Sequence, residues 1–339
     1  MKLFGKLLFS LVLILVIVYF SGPKADFEKV DNKVVQIKYP IENLDYMINQ
    51  RESQVDGIKD DNQSQFYWID SLQKTEYAVV YLHGFSASHG ECQPILTNFA
   101  ERYGCNSYYP RLYKHGLADV DVMKDLTPKG LMDSAKEAIA IGKSIGEKLI
   151  VISTSTGSAL AFYLAANDPD IHALISTSPN FDLFDTRSQL LVQPWGKQIF
   201  RKMMGSDYRQ WEAPDFVNKY WTTKNRIEAH IAIRDLLDQT MKNETFQAIT
   251  QPVYISYYFK DEDNMDNVIS VDAIRKFAEE LSTADSLKMV HPVANAQRHV
   301  ISSQYMNENW EDVQDSIFVF AEQKLGLREL VKDSLILSH

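Results

Sequence analysis

The sequence predicts an α/β protein with a mostly parallel central sheet and helices on both faces of that sheet. From Glu76 onwards, short apolar segments typical of strands alternate with segments of helical spacing. Several of the apolar segments are nearly continuous, as expected of strands that are covered on both faces. The strand candidates are residues 77–82, 107–112, 149–153, 173–177, 253–258 and 287–290.

Helices are predicted between these strands, at residues 91–103, 156–166 and 271–281 and in a segment that begins after Thr127. Thr127 is a suitable N-cap because Pro128 follows it at the first helical position. Ser270 is a suitable N-cap for the helix at 271–281. Helices that alternate in this way with strands are typical of right-handed crossovers in a parallel sheet.

The interval 180–250 interrupts this alternation with about 70 residues between two strands, which is too long for a simple crossover. We therefore expect a helical cap over the sheet. The expected organisation is a membrane anchor or signal sequence at 1–22, a linker and N-terminal extension at 23–75, a core formed by 76–179 and 251–325, a cap at 180–250 and a C-terminal tail at 326–339. A weak strand signal at 34–39 lies within the extension.

The composition is that of an ordinary globular protein: 339 residues, 45% hydrophobic and 24% charged. A net charge of −10 disfavours nucleic acid as a partner, because an acidic chain repels phosphate. Two cysteines cannot form a cysteine-rich metal cluster, and the sequence contains neither a His-Glu-x-x-His motif nor an EF-hand loop. We expect no metal and no organic cofactor.

The N-terminal segment is apolar from Leu7 to Phe20 except for Ser10, and two lysines precede it. It reaches the length of a membrane span if it begins near residue 3. No small-x-small cleavage motif follows, and Pro23 disfavours cleavage after Gly22. We favour an uncleaved anchor through residues 3–20, with the N-terminus in the cytoplasm and the remaining chain on the periplasmic or extracellular side. Secretion after signal cleavage is the alternative.

The most informative segment for function is 149–160, in which an apolar strand passes through Ser153-Thr154-Ser155-Thr156-Gly157 into a helix. This is the layout of a nucleophile elbow, in which a sharp turn exposes the central hydroxyl. Small residues at 153 and 157 let the strand and helix pass closely. An ordinary turn in which a serine caps the helix would give a similar pattern.

A second strand, 77–82, ends in His83-Gly84-Phe85. Nucleophile-elbow enzymes bind an oxyanion with the N–H of the residue after the nucleophile and an N–H from an early strand–helix loop. Thr156 and Phe85 fit these two positions. We expect His83 to be a structural residue.

The candidate base is His299, in a loop before the C-terminal helix, whereas its competitor His291 falls in or at the end of a strand. The orienting acid should lie in the loop 259–270. We favour Asp266 because the chain after it is fixed by Val268, Ile269 and the capping Ser270. Asp261 and Asp263 remain alternatives.

The chain resembles the α/β-hydrolase superfamily, and within it bacterial carboxylesterase-like or lysophospholipase-like serine hydrolases, over roughly residues 76–325. The resemblance rests on the elbow, the His83-Gly84-Phe85 loop, residues 110–116, residues 266–270 and residues 295–301. Lys114 and Ser153 stand where the family has glycine. The resemblance implies ester hydrolysis through an acyl-enzyme on Ser155, with His299 as base, Asp266 as its partner, and the Phe85 and Thr156 N–H groups as the oxyanion hole.

The cap interval is rich in large apolar residues that could line an acyl or aryl pocket or form the cap's own core: Phe181, Leu183, Phe184, Trp195, Trp211 and Trp221. An apolar ester is therefore the expected small-molecule substrate. An acyltransferase or amidase could use the same three side chains. A non-catalytic, membrane-tethered binding protein could retain the same fold.

Overall fold

The computed structural model describes residues 2–34 and 39–330, so most of the strand signal expected at 34–39 lies outside the described residues. The strands are β1 (Gln65–Tyr67), β2 (Thr75–Leu82), β3 (Asn106–Tyr109), β4 (Gly146–Thr154), β5 (Ile171–Thr177), β6 (Tyr208–Gln210), β7 (Lys224–Arg226), β8 (Val253–Asp261), β9 (Asn264–Met265) and β10 (Lys288–Val293). The helices are α1 (Lys2–Phe20), α2 (Leu44–Glu52), α3 (Ile95–Tyr103), α4 (Pro128–Ile145), α5 (Thr156–Ala165), α6 (Gly196–Met204), α7 (Asp215–Tyr220), α8 (Ile227–Thr240), α9 (Asn243–Gln247), α10 (Val271–Glu280) and α11 (Trp310–Lys324).

The main sheet has the strand order β1-β3-β2-β4-β5-β8-β10, with β9 paired to β8. Its central pairs are parallel, whereas β1 and β9 pair antiparallel with their neighbours. The mostly parallel sheet predicted from the sequence is confirmed. The edge strand β1 was not predicted, because three residues are too few to show an alternating pattern.

Two hydrophobic layers cover the two faces of this sheet. Alternate residues of one strand point to opposite faces, so Val80 belongs to the layer with α4, α5 and α8, and Val79 to the layer with α3 and α11. In the same way, Val151 and Ile150 of β4 face opposite layers. Burial on both faces explains why these strands read as continuous apolar runs.

Local helix signals were mostly correct. The Thr127 hydroxyl accepts a hydrogen bond from the Gly130 N–H at 3.0 Å, and the Ser270 hydroxyl accepts one from the Ala273 N–H at 3.1 Å. The helix expected over 91–103 is wrong at its N-terminus, where His89–Cys92 forms a 3₁₀ turn and α3 begins only after Pro94. Proline disfavours the helical conformation at the residue before it, which separates the two segments.

The interval 180–250 has two structurally different parts. Ala229, Leu236 and Phe246, from α8 and α9, belong to the same hydrophobic layer as α4 and α5. The β6–β7 hairpin, α6 and α7 lie in the part before α8. We infer that the cap proper is this earlier part, and that α8 and α9 belong to the helical layer of the core.

The two ends of the chain differ in how they pack. Within α1, Leu3–Phe20 is long and apolar enough to cross a membrane, and its side chains are exposed. Near the other end, Leu327 is buried in the layer with α11, and the Leu330 N–H donates to the Arg102 carbonyl oxygen at 2.8 Å. The expected tail at 326–339 is thus attached at its beginning, while residues 331–339 lie outside the described part of the chain.

Candidate active site

Ser155 lies at the tight turn between β4 and α5, with φ 52° and ψ −119°, a sparsely populated conformation for a residue with a side chain. Its backbone is held from both sides. The Ser155 N–H donates to the Thr177 carbonyl oxygen at 3.1 Å, and the Ser155 carbonyl accepts from the N–H groups of Ser158 and Asn180, each at 3.0 Å. These bonds stabilise a turn that presents the hydroxyl away from both the strand and the helix.

Gly157 is required by the close passage of α5 over β2. A Cβ atom at this position would lie 1.9 Å from the Leu82 carbonyl oxygen. No side chain can be placed there without moving the helix away from the sheet. The glycine of the elbow pattern therefore has a steric cause in this fold.

Ser153 occupies the position where the resembling family has glycine, and the structure accommodates its hydroxyl in a buried polar group. The Ser153 hydroxyl contacts the Ser158 hydroxyl at 3.1 Å and the Ser176 hydroxyl at 3.4 Å. A buried hydroxyl with partners avoids the cost of an unsatisfied polar group. The departure from glycine therefore leaves the turn intact.

The structure brings Ser155, His299 and Asp266 into one hydrogen-bonded chain. His299 Nε2 lies 3.0 Å from Ser155 Oγ, and His299 Nδ1 lies 2.6 Å from Asp266 Oδ2. The competitor His291 lies within β10. With Nδ1 donating to the carboxylate, Nε2 is the acceptor for the serine proton.

Asp266 is the loop carboxylate that reaches His299. It is 1% exposed, and its Oδ1 accepts the N–H groups of Val268 at 2.8 Å and Ile269 at 3.2 Å. Asp261, the last residue of β8, and Asp263, between β8 and β9, are exposed. Val268 and Ile269, which were expected to fix the position of Asp266, thus do so through their backbone N–H groups.

The ionisation of His299 follows from its two neighbours of opposite charge. Burial lowers the pKa of His299, but the charge of Asp266, the hydrogen bond to Asp266 and the charge of Glu91 together raise this pKa above its ordinary value. A raised pKa makes the imidazole a better proton acceptor.

The loop after β2 orients the Phe85 N–H through the preceding peptide. The Gly84 carbonyl accepts from His83 Nδ1 at 2.9 Å and from the Ala87 N–H at 3.3 Å. Since the carbonyl and N–H of a trans peptide point in opposite directions, the Phe85 N–H is directed away from these donors. Within residues 2–34 and 39–330, neither the Phe85 N–H nor the Thr156 N–H donates to another group. Thr156 is the first residue of α5, and the first N–H groups of a helix have no acceptor within that helix.

His83 is a fully buried structural residue, as expected. Its Nε2 accepts the Leu112 N–H at 3.1 Å, which ties the β2 loop to the segment 110–116. Burial, assisted by the neighbouring His115, holds the pKa of His83 well below its ordinary value, so the ring is neutral.

Lys114, the second departure from the family pattern, has φ +62°. We predict that Lys114→Gly raises the free energy of unfolding by about 0.5–1 kcal/mol, because relief of left-handed strain exceeds the added chain entropy. Urea denaturation measures this. Lys276→Gly, on the exposed side of α10, is the control and should lower stability by about 1 kcal/mol. A lower urea midpoint for Lys114→Gly would contradict the explanation.

The sequence analysis missed Glu91, a 2% exposed carboxylate in the His89–Cys92 turn. Its Oε2 accepts the Gly84 N–H at 2.6 Å and the Tyr81 hydroxyl at 3.0 Å. A single glutamate at the start of an expected helix is ordinarily a solvated side chain. No local signal distinguishes it, since its partners come from β2 and the loop that follows β2.

The fold matches that of known structures. No protein-family model matches the chain, and a search of curated proteins finds no match. Among solved structures, the chain is similar to a structure described for LipS and LipT, two metagenome-derived lipolytic enzymes, at 14% identity and a TM-score of 0.61. That match covers 78% of this chain and 98% of the other. The chain has the α/β-hydrolase fold, which confirms the fold expected from the resemblance.

Two further neighbours are described as lipases. A soluble variant of monoglyceride lipase from Saccharomyces cerevisiae is 13% identical, with a TM-score of 0.57 over 77% of this chain and 92% of its own. The monoacylglycerol lipase of Paleococcus ferrophilus is 14% identical, with a TM-score of 0.55 over 76% of this chain and 98% of its own. At these identities the likeness establishes the fold alone.

Proposed function

We propose that the chain is a serine hydrolase that cleaves carboxylic esters through an acyl-enzyme on Ser155. The observation that carries this proposal is the hydrogen-bonded chain from Ser155 through His299 to Asp266, with contacts of 3.0 and 2.6 Å. The fold and the lipase and esterase neighbours support it.

In the proposed reaction, Ser155 Oγ attacks the ester carbonyl while His299 Nε2 accepts the hydroxyl proton. Asp266 holds the Nδ1–H tautomer and stabilises the imidazolium. The Phe85 and Thr156 N–H groups bind the oxyanion, and Thr156 adds the positive end of the α5 dipole. His299 then protonates the leaving alkoxide, and a water that it activates releases the acid product.

An apolar cluster beside this site supports an apolar acyl or aryl group as substrate. Trp221 and Val217, from the cap, pack with Ala87 of the oxyanion loop and with Val300, which follows His299. Of the other cap residues, Trp211 packs against the same cluster. Phe181 is buried beside Phe162 in the core layer, and Phe184 is exposed. We infer that Trp221, rather than the whole aromatic set, faces the acyl side of the site.

The substrate proposal predicts that hydrolysis of p-nitrophenyl esters increases from acetate to medium-length acyl chains. Each buried methylene contributes up to about 0.8 kcal/mol, so kcat/KM should rise several-fold per added carbon until the pocket is filled. Trp221→Ala should flatten this dependence, whereas Phe184→Ala, a change of an exposed cap aromatic, should not. A profile in wild type that is independent of acyl length would contradict an apolar pocket.

We propose further that α1 is an uncleaved membrane anchor and that the hydrolase domain lies outside the cytoplasm. The indole N–H of Trp195, at the start of α6, donates to the Val18 carbonyl at 2.9 Å, and the Trp195 backbone N–H donates to the Pro23 carbonyl at 2.9 Å. The cap thus contacts the C-terminal end of α1. Tryptophan is enriched where a membrane span meets water.

This placement predicts that the full-length protein sediments with membranes after a carbonate wash and is released only by detergent. Deletion of residues 1–22 should leave it soluble, since the whole of α1 is then absent. N-terminal sequencing of the mature protein distinguishes the alternative. A new N-terminus after residue 20 to 22, with the protein in the soluble fraction, would contradict the anchor and support secretion.

A further inference from the structure

Glu91 is a buried carboxylate beside the site to which the proposed reaction assigns no role. Within the described residues it forms no ion pair with a lysine or arginine. It instead accepts hydrogen bonds from neutral donors, the Gly84 N–H and the Tyr81 hydroxyl. The Trp221 side chain favours its ionised form. Burial of a charge without a neighbouring cation costs free energy. A functional role for the Glu91 carboxylate would explain why it is retained.

We propose that Glu91 is a positioning residue for the ester hydrolysis assigned above, and the inference rests on that proposed function. Its carboxylate fixes the Gly84 amide so that the next amide, Phe85 N–H, points to the oxyanion. Its negative charge also stabilises the imidazolium of His299 in the transition state.

The first role follows from the two consecutive peptides around Gly84. Glu91 Oε2 accepts the Gly84 N–H at 2.6 Å, and His83 Nδ1 donates to the Gly84 carbonyl oxygen at 2.9 Å. A Cβ atom on Gly84 would lie 2.8 Å from Glu91 Oε1 and 3.0 Å from Ser155 Cβ. The loop is thus packed between the carboxylate and the nucleophile, so its orientation cannot change independently of Glu91.

The second role follows from the charges that face His299. Asp266 approaches from the loop after β9, and Glu91 approaches from the His89–Cys92 turn; both raise the pKa of His299. Around Glu91 itself lie Tyr81, Cys92, Trp221 and His299.

Burial raises the pKa of Glu91 to about 7, while Gly84, Tyr81, His299 and Trp221 favour the ionised form. The charges of Glu91 and His299 affect each other's pKa, so the two groups should titrate as a coupled pair.

Two variants separate these roles in the full-length protein in detergent micelles. Glu91→Gln retains an oxygen that can accept the Gly84 N–H but removes the charge. We expect kcat at alkaline pH within tenfold of wild type, and the acid limb of the kcat/KM profile displaced to lower pH, because the pKa of His299 loses one raising contribution.

Glu91→Met removes both the acceptor and the charge. We expect kcat for p-nitrophenyl butyrate to fall by about 10²-fold, the loss typical of a displaced oxyanion donor, with KM little changed. The acid limb should move as it does in Glu91→Gln.

Asp168→Asn is the control for a merely structural buried carboxylate. Asp168 is 6% exposed and paired with Lys143 at 2.6 Å, beyond the C-terminal end of α5. This variant should lose stability but keep both kcat and the wild-type acid limb. The rate of labelling of Ser155 by a fluorophosphonate, measured against pH, gives a second readout that needs no ester turnover.

The inference would be overturned if the acid limb were unchanged in Glu91→Gln and kcat were retained in folded Glu91→Met. Turnover by the wild-type protein would still support the proposed function in that case. Absence of both turnover and labelling in wild type would instead contradict the proposed function, and with it this inference.

Discussion

Replacing Ser155 with alanine should reduce ester turnover by roughly 10⁶-fold, the loss seen when a triad nucleophile is removed. No other hydroxyl can replace it at this turn. Residue 155 is the one with φ 52° between the end of β4 and the start of α5, and this conformation presents its side chain. The fold should persist, since the bonds that hold the turn use the backbone N–H and carbonyl of residue 155. The measurement is kcat with p-nitrophenyl butyrate on protein whose circular dichroism matches wild type.

Ser158→Ala is the matched control for this change. Ser158 is also buried in α5, and its hydroxyl contacts Ser153 rather than His299. It should retain turnover within tenfold while losing about 1 kcal/mol of stability. Comparable turnover in Ser155→Ala and wild type would exclude Ser155 as the nucleophile.

Asp266→Asn should reduce kcat by about 10⁴-fold, as expected when the orienting carboxylate of a serine triad becomes an amide. The asparagine fills the same space, and its oxygen can still accept the Val268 N–H. An amide donor placed against Nδ1, however, favours the tautomer with the proton on Nε2, which cannot accept the serine proton. The loss should appear in kcat with little change in KM.

The control lies on the same loop. Asp263→Asn changes an exposed carboxylate and should leave kcat unaltered. A large loss in Asp263→Asn together with a small one in Asp266→Asn would transfer the orienting role to Asp263 and contradict the geometry. The two variants thus decide between Asp266 and Asp263, two of the three carboxylates that the sequence left open.

The predictable parts of this structure are those encoded by neighbouring residues. The elbow at 153–157, the Thr127 and Ser270 caps and the apolar strands depend on local sterics and on periodicity, which one sequence displays. The order Ser155, Asp266, His299 was accessible because each residue follows a strand of the same parallel sheet. Their side chains therefore meet at one edge.

The unpredicted parts depend on contacts between distant segments. Glu91 acquires its environment from Tyr81 and Gly84, and its burial has no periodic signature. The edge strand β1 is three residues long and is defined by pairing with β3. The division of 180–250 depends on the packing of α8 against the core layer, which apolar content alone does not locate.

Labelling with a fluorophosphonate tests whether the serine at position 155 is activated. The full-length protein in detergent is treated with the probe, and the modified peptide is mapped by mass spectrometry. We expect a single modification on Ser155, lost in His299→Ala because the hydroxyl then has no base. Labelling at another serine would show that Ser155 is not the nucleophile. Folded wild-type protein that remains unlabelled would favour a binding protein that retains the fold.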